Sequence, residues 1–209
     1  MAGASCPSPK PRNYDCGRMQ AIVDFILELD KLKRVTRRTR PTGLDRYENT
    51  AEHSWQIAML AAAMVQYAEE PVDVDRVVTM LLVHDIGEIE TGDTMFYVEE
   101  GLSDRKAAER AAVTRIFGLL PAQQRDRFLG LWNEFENNST PEARFAHAAD
   151  RAMPVILNLA NNGQSWRENG ITYERVLQRV GPPIAAGCPA LWKYLEGRLA
   201  EEQRKGWFA

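Results

Sequence analysis

Apolar residues in this chain recur at three- and four-residue steps from near its start to near its end, and stretches alternating apolar with polar residues are essentially missing. A chain patterned this way buries its stripes by packing helix on helix, so the expected fold class is all-α. Over residues 18–33 the stripe is Ile22, Phe25, Ile26, Leu29 and Leu32. Residues 51–67 carry Ala, Met, Leu and Ile broadly enough to be buried on most sides, with Thr50 as the N-cap. Asp73 caps a third helix, whose Val77, Val78, Leu81, Leu82 and Val83 lead directly into His84-Asp85-Ile86-Gly87-Glu88. Further helices are expected over about 103–117, 121–136, 141–160, 173–180 and 189–202, each opened by a Pro or a Ser/Asp-type cap or closed by Gly. They pack around the second, third and sixth.

A chain of 209 residues suffices for one compact core without staples, and one domain over 18–209 is expected, preceded by a proline-rich disordered leader, residues 1–17. The net charge of -3 gives no electrostatic footprint for polymeric nucleic acid or for a membrane surface. No segment has the apolar length of a membrane span, and the start lacks a signal-peptide core. Cys6, Cys16 and Cys188 make no CxxC pattern and no even-numbered framework. A soluble, cytoplasmic protein with reduced thiols is therefore expected, with Cys188 as a small packing residue.

Two of the three histidines stand beside carboxylates on helices expected to be buried, in Glu52-His53 and His84-Asp85. One such histidine alone reads as a satisfied core residue. Together they offer imidazole and carboxylate ligands for a transition metal, and further ligands must come from other helices. Asp150 lies inside the apolar run Phe145-Ala146-His147-Ala148-Ala149-Asp150, where a carboxylate needs either a metal or an ion pair, for instance with Arg151.

The order His53, then His84-Asp85, then Asp150, all on helices, resembles the HD-domain phosphohydrolase superfamily. The segments 32–37, 46–54, 82–88 and 91–94 are similar to successive blocks of its 5'-deoxynucleotidase subfamily, as is Leu131-Trp132-Asn133-Glu134-Phe135-Glu136 through Ala143-Arg144-Phe145 to Asp150. These blocks span about two-thirds of the chain, from Met19 to Asn161. The resemblance implies an HD-type helical bundle with a metal site between helices, in which His53, His84, Asp85 and Asp150 hold one divalent ion. Four protein ligands leave two exogenous positions only in an octahedral sphere, which suits Co, Mn, Fe or Mg better than a closed tetrahedral Zn site.

The resemblance further assigns Glu88 to the attacking water and Asp93 to the leaving oxygen or a sugar hydroxyl. Without it, Glu88 reads as a solvated helix end and Asp93, in Thr91-Gly92-Asp93-Thr94, as a turn residue. Glu88 shares a face with His84 if the helix persists through Gly87. Arg37 falls where the related enzymes bind phosphate, a task suited to a permanently charged guanidinium, whereas Arg38 replaces a tryptophan of the bacterial 5'-deoxynucleotidase. His147, three residues before Asp150, is a candidate neighbour of the site. Trp55, Trp132, Trp166 and Trp192 read as core or interface packing. The expected activity is hydrolysis of (deoxy)ribonucleoside 5'-monophosphates. The alternatives are another small phosphomonoester as substrate, or a non-catalytic nucleotide-binding helical dimer. The resemblance also implies a homodimer, for which Trp192, Tyr194, Trp207 and Phe208 are candidate contacts.

Overall fold

The computed structural model of the chain describes residues 15–98 and 101–208, so the expected leader lies outside the described residues except for its last three. Helix α1 spans Cys16–Leu29 and starts slightly earlier than the apolar stripe, because the Asp15 carboxylate accepts the amide hydrogens of Gly17 and Arg18. It tightens into a 3-10 turn over Asp30–Arg34. Helix α2, Thr50–Met64, is capped by Asn49 and not by Thr50: the Asn49 side chain accepts from the Glu52 amide while the Glu52 carboxylate accepts from the Asn49 amide. This reciprocal box contributes about 1 kcal/mol and leaves the Thr50 hydroxyl free for other work. A 3-10 turn, Val65–Tyr67, ends the segment.

Helix α3, Val74–Val83, begins at the Asp73 cap as expected and stops at His84. The helix does not persist through Gly87; turns connect it to a short helix α4, Glu88–Thr91. A Cβ on Gly87 would lie 3.1 Å from the Glu109 carbonyl oxygen, so glycine lets the next helix, α5 (Leu102–Phe117), close on this corner. Then follow α6 (Ala122–Asn137), α7 (Pro141–Ala160), the unforeseen short α8 (Gln164–Glu168), α9 (Tyr173–Gly187) and α10 (Pro189–Gln203). Among the described residues no strand occurs, only an isolated bridge between Thr36 and Asn49.

Helix α7 is the centre of the bundle and packs against α2, α3, α6, α9 and α10. Its Ala143, Ala146, Ala148, Ala149 and Ala152 are buried, and side chains this small let several neighbours approach its backbone at once. Helix α9 runs past Val180, where it was expected to end, through Pro182 and Pro183 to Gly187. Packing overrides the two lost amide donors: Val180 and Ile184 are buried, and Gly181 seats the Trp192 indole, 2.8 Å from where a Cβ would stand.

Trp132 and Trp166 are core residues as expected, while Trp55 is 63% exposed. Of the C-terminal aromatics, Trp192, Trp207 and Phe208 are half-buried. Phe208 stacks on Trp166 at 4.6 Å and meets Tyr173 edge-on, leaving Tyr194 as the exposed member of the four dimer candidates. The apolar side chains that do face outward include Met19, Val23, Ile26 and Leu27 on α1 and Trp55 and Met59 on α2. Cys188 is buried and donates its thiol hydrogen to the Tyr67 carbonyl. Among the described residues no helix is long and apolar enough to cross a membrane.

Candidate metal centre

Three helices each deliver one side chain to a common point: His53 from the first turn of α2, His84 from the end of α3 and Asp150 from the middle of α7. His53 Nε2 lies 3.0 Å and His84 Nε2 3.8 Å from Asp150 Oδ1. One ligand atom from each residue falls within 4.8 Å of the others, and all three residues are buried. His84 is held from three sides. Its Nδ1 is 2.8 Å from the Leu81 carbonyl, which only accepts, so the Nδ1 proton is fixed there. Its own carbonyl, left over at the helix end, accepts from the Trp132 indole at 3.0 Å, and the Phe135 ring packs edge-on against the imidazole. Nε2 is thereby aimed at the carboxylates, buried and without a hydrogen-bond partner.

Asp85 adjoins this trio without being part of the tight cluster: its Oδ2 is 3.0 Å from His84 Nε2 and 3.0 Å from Arg37 Nη1. Arg37 arrives by a backbone pairing. The Arg37 amide donates to the Glu48 carbonyl, the Glu48 amide to Thr39 and the Thr50 amide to Val35, so the segment after the first 3-10 turn runs antiparallel to the entry of α2. The guanidinium then sits within ion-pair distance of Glu48, Asp85, Glu88 and Asp93. Glu88 is buried and accepts from the Thr50 hydroxyl at 2.8 Å, the bond that the Asn49 cap makes available. Asp93 follows the left-handed-side Gly92 (φ 75°) that terminates α4, as its turn-like sequence implied.

Five carboxylates, those of Glu48, Asp85, Glu88, Asp93 and Asp150, thus gather near one buried guanidinium, and burial and neighbouring charge shift the groups in opposite directions. Burial alone would lower the His84 pKa, but Asp85 and Asp150 outweigh it and push it up to about 10. His53 faces the same Asp150 oxygen yet moves the other way, to about 4, because burial and the Arg37 charge dominate. Burial, reinforced by Asp85, raises Glu88 well above the usual carboxylate range; Asp93 is raised chiefly by burial, and burial pushes Glu48 up to about 7. Burial opposes ionisation of Asp85 and Asp150 too, but His84 and Arg37 hold Asp85 at about 2, and Arg151, His53 and His84 hold Asp150 well below its ordinary value.

A divalent cation fits this chemistry. The donor set mixes imidazole nitrogen with carboxylate oxygen, the Nδ1 hydrogen bond already aims His84 Nε2 inward, and added positive charge relieves the surplus of carboxylates. A cleft reaches the cluster, lined by Arg37, His84, Asp85, Glu88, Asp93 and Asp150 and by residues including Lys106 and Arg179. A second, smaller pocket adjoins it across Asp93, Phe96 and Arg151, and Arg38 lines this one.

One residue escaped the sequence reading. Glu48, 1% exposed, lies between His53 and Arg37; its one signal was a charge just before the cap of a buried helix. Arg151 both pairs with Asp150 Oδ2 at 3.3 Å and lies 3.6 Å over the Phe96 ring. The ion pair weighed as an alternative for Asp150 therefore exists, on the oxygen that the histidines leave free. His147 lines the cleft but is tied elsewhere, its Nε2 hydrogen-bonded to the Phe135 carbonyl at 2.9 Å and its ring stacked on Phe135.

The chain is similar to known proteins. A crystallised predicted metal-dependent phosphohydrolase from Magnetospirillum magnetotacticum MS-1 is 41% identical, with a TM-score of 0.87 over 92% of this chain and 96% of that one. A human 5'-deoxynucleotidase is 28% identical over 142 residues, 66% of this chain and 66% of its own length. One from Escherichia coli is 29% identical over 118 residues, 53% of this chain and 59% of its own. The matched region thus spans about two-thirds or less of these two relatives. The HD domain family model matches residues 29–192, which include His53, His84, Asp85 and Asp150, and the chain belongs to that family.

Proposed function

We propose that this HD-domain protein is a metal-dependent phosphomonoesterase that releases inorganic phosphate from nucleoside 5'-monophosphates, deoxyribonucleotides foremost. The observation that carries the reading is the buried convergence of His53, His84 and Asp150 beneath Arg37, with His84 Nε2 aimed inward at the Asp85 and Asp150 carboxylates. The names of the human and Escherichia coli relatives support the substrate class, and that of the Magnetospirillum protein supports metal dependence.

In this reading His53, His84, Asp85 and Asp150 hold one divalent ion, of the Co, Mn, Fe or Mg kind. When bound, such an ion supplies Lewis acidity, easing deprotonation of a water and drawing charge from a phosphoryl oxygen. Arg37 binds two oxygens of the ester and stays charged as the transferring group develops charge. Glu88 is anchored through Oε2 by Thr50 with Oε1 3.9 Å from Arg37 Nη1; the charge of a bound ion would lower the pKa that burial raises, and Glu88 would then take the proton of the attacking water. Asp93, whose pKa burial raises, faces the departing alcohol oxygen or hydrogen-bonds the sugar hydroxyl. One HD-type domain over 18–209, a cytoplasmic location and a homodimer complete the proposal, the last supported by the outward apolar residues of α1 and α2.

Phosphate release from a panel of ribo- and deoxyribonucleoside monophosphates and simple phosphate esters, with and without added Co²⁺, tests this. Release that needs the metal and favours the nucleotides is expected. A preference for another phosphomonoester moves the substrate assignment, and nucleotide binding with no metal-dependent release makes the protein a sensor.

A further inference from the structure

The structure assigns to Glu48 the positioning of both His53 and Arg37, so that cation binding and phosphate binding are coupled through one buried carboxylate. The inference rests on the metal-site reading above. Glu48 Oε1 is buried without a hydrogen-bond partner, and so is His53 Nδ1, 3.7 Å away. The same oxygen is 3.6 Å from Arg37 Nε. Buried polar atoms are almost always paired, so two that face each other unpaired mark a contact that closes in another state of the site.

The tautomer of His53 says which state. With Nε2 3.0 Å from Asp150 Oδ1, which only accepts, Nε2 carries the proton and Nδ1 turns a lone pair toward a carboxylate oxygen. For Nε2 to ligate a cation its lone pair must be free, and the proton of the neutral ring then resides on Nδ1. Glu48 Oε1 is the acceptor in place to receive it, a small side-chain adjustment away. The Glu48 backbone is fixed in place, because its amide donates to Thr39 and its carbonyl accepts from Arg37. A carboxylate drawn toward His53 also sets the direction of the Arg37 fork, because Arg37 Nε follows the same oxygen. Ordering His53 for the cation therefore orders Arg37 for phosphate.

Zinc, being diamagnetic, is the probe. Zn²⁺ affinity is measured for wild type, Glu48→Ala and Glu48→Gln with and without inorganic phosphate, and the His53 imidazole is followed by nitrogen-15 NMR in the zinc-loaded protein. Wild type is expected to show a downfield Nδ1–H resonance at His53 and tighter zinc binding when phosphate is present. Glu48→Ala is expected to bind zinc roughly ten- to hundredfold more weakly, as when an outer partner of a ligating histidine is lost, and to lose the phosphate effect. Glu48→Gln, which still offers an oxygen acceptor, is expected to keep the Nδ1–H resonance but move it upfield. Equal zinc affinity in wild type and Glu48→Ala overturns the assignment while leaving the metal site standing. Where Glu48→Ala does not fold, an unchanged Nδ1–H shift in Glu48→Gln does the same. Wild type that takes up no zinc overturns the metal-site reading and this assignment with it.

Discussion

Helix α7 meets its neighbours on opposite terms. Toward α9 and α10 the contact is close apolar packing: a Cβ on Gly187 would lie 2.2 Å from the Arg144 carbonyl oxygen, and Ile184, Leu195 and Leu199 are fully buried nearby. Toward α2 and α3 the same helix offers Asp150 to two histidines, in a pocket of carboxylates where buried nitrogens and an oxygen lack partners. The first side holds the fold together through burial. The second keeps polar atoms that only a ligand pairs, and it persists because the first side supplies the stability. Damage to each side should therefore be read in a different quantity.

The largest effect is expected at the polar side. Asp150→Ala or His84→Ala should leave folded protein without bound metal, with phosphate release reduced well beyond the roughly hundredfold that an outer partner costs. Metal analysis beside the rate checks this, and either variant with full metal content would break the comparison outright. At the apolar side, Leu195→Ala should cost about 2–5 kcal/mol of stability by leaving a cavity, visible as a lower Tm. Metal affinity and rate per folded chain should not change well below that Tm; a parallel fall in metal affinity would show that the two sides are not separable.

Smaller and more selective is Glu88→Ala, expected to slow turnover by roughly a hundredfold while metal content and nucleotide binding persist. An unchanged rate would remove Glu88 from the chemistry and keep the metal site. His147→Ala should matter least: its hydrogen bond to Phe135 is worth about 1 kcal/mol, and metal content should stay near that of wild type.

What the sequence could carry follows the same division. The helical stripes and the order of the candidate residues are local patterns or simple chain positions, so α3, α7 and the convergence of His53, His84 and Asp150 were legible, whereas the pairing of the neighbouring Asp85 with Arg37 was not. Features decided by tertiary contact were not. Asn49 rather than Thr50 caps α2 because Glu52 answers it and Glu88 claims the Thr50 hydroxyl. Helix α9 continues through Pro182 and Pro183 because Gly181 and Gly187 let Trp192 and α7 come close. Glu48 looked like any polar residue in a loop, and its burial arises from a backbone pairing 11 residues along the chain with Arg37. The C-terminal aromatics suggested a surface, whereas Trp166 and Tyr173 supplied a place inside for Phe208.

The most direct measurement is a Co²⁺ titration of metal-stripped protein in weak buffer near pH 7.5, following proton release and phosphate release from a deoxyribonucleoside monophosphate together. His84, pushed up to about 10, is protonated at that pH, so a cation that takes its Nε2 must expel the proton. That displaced proton disappears as the pH rises through about 10, where the ring is already neutral. The expected result is at least about one proton released per cation bound, with phosphate release rising in step and saturating at one cation per chain. Full phosphate release before any cation is added, or cation uptake with no proton expelled, would contradict it.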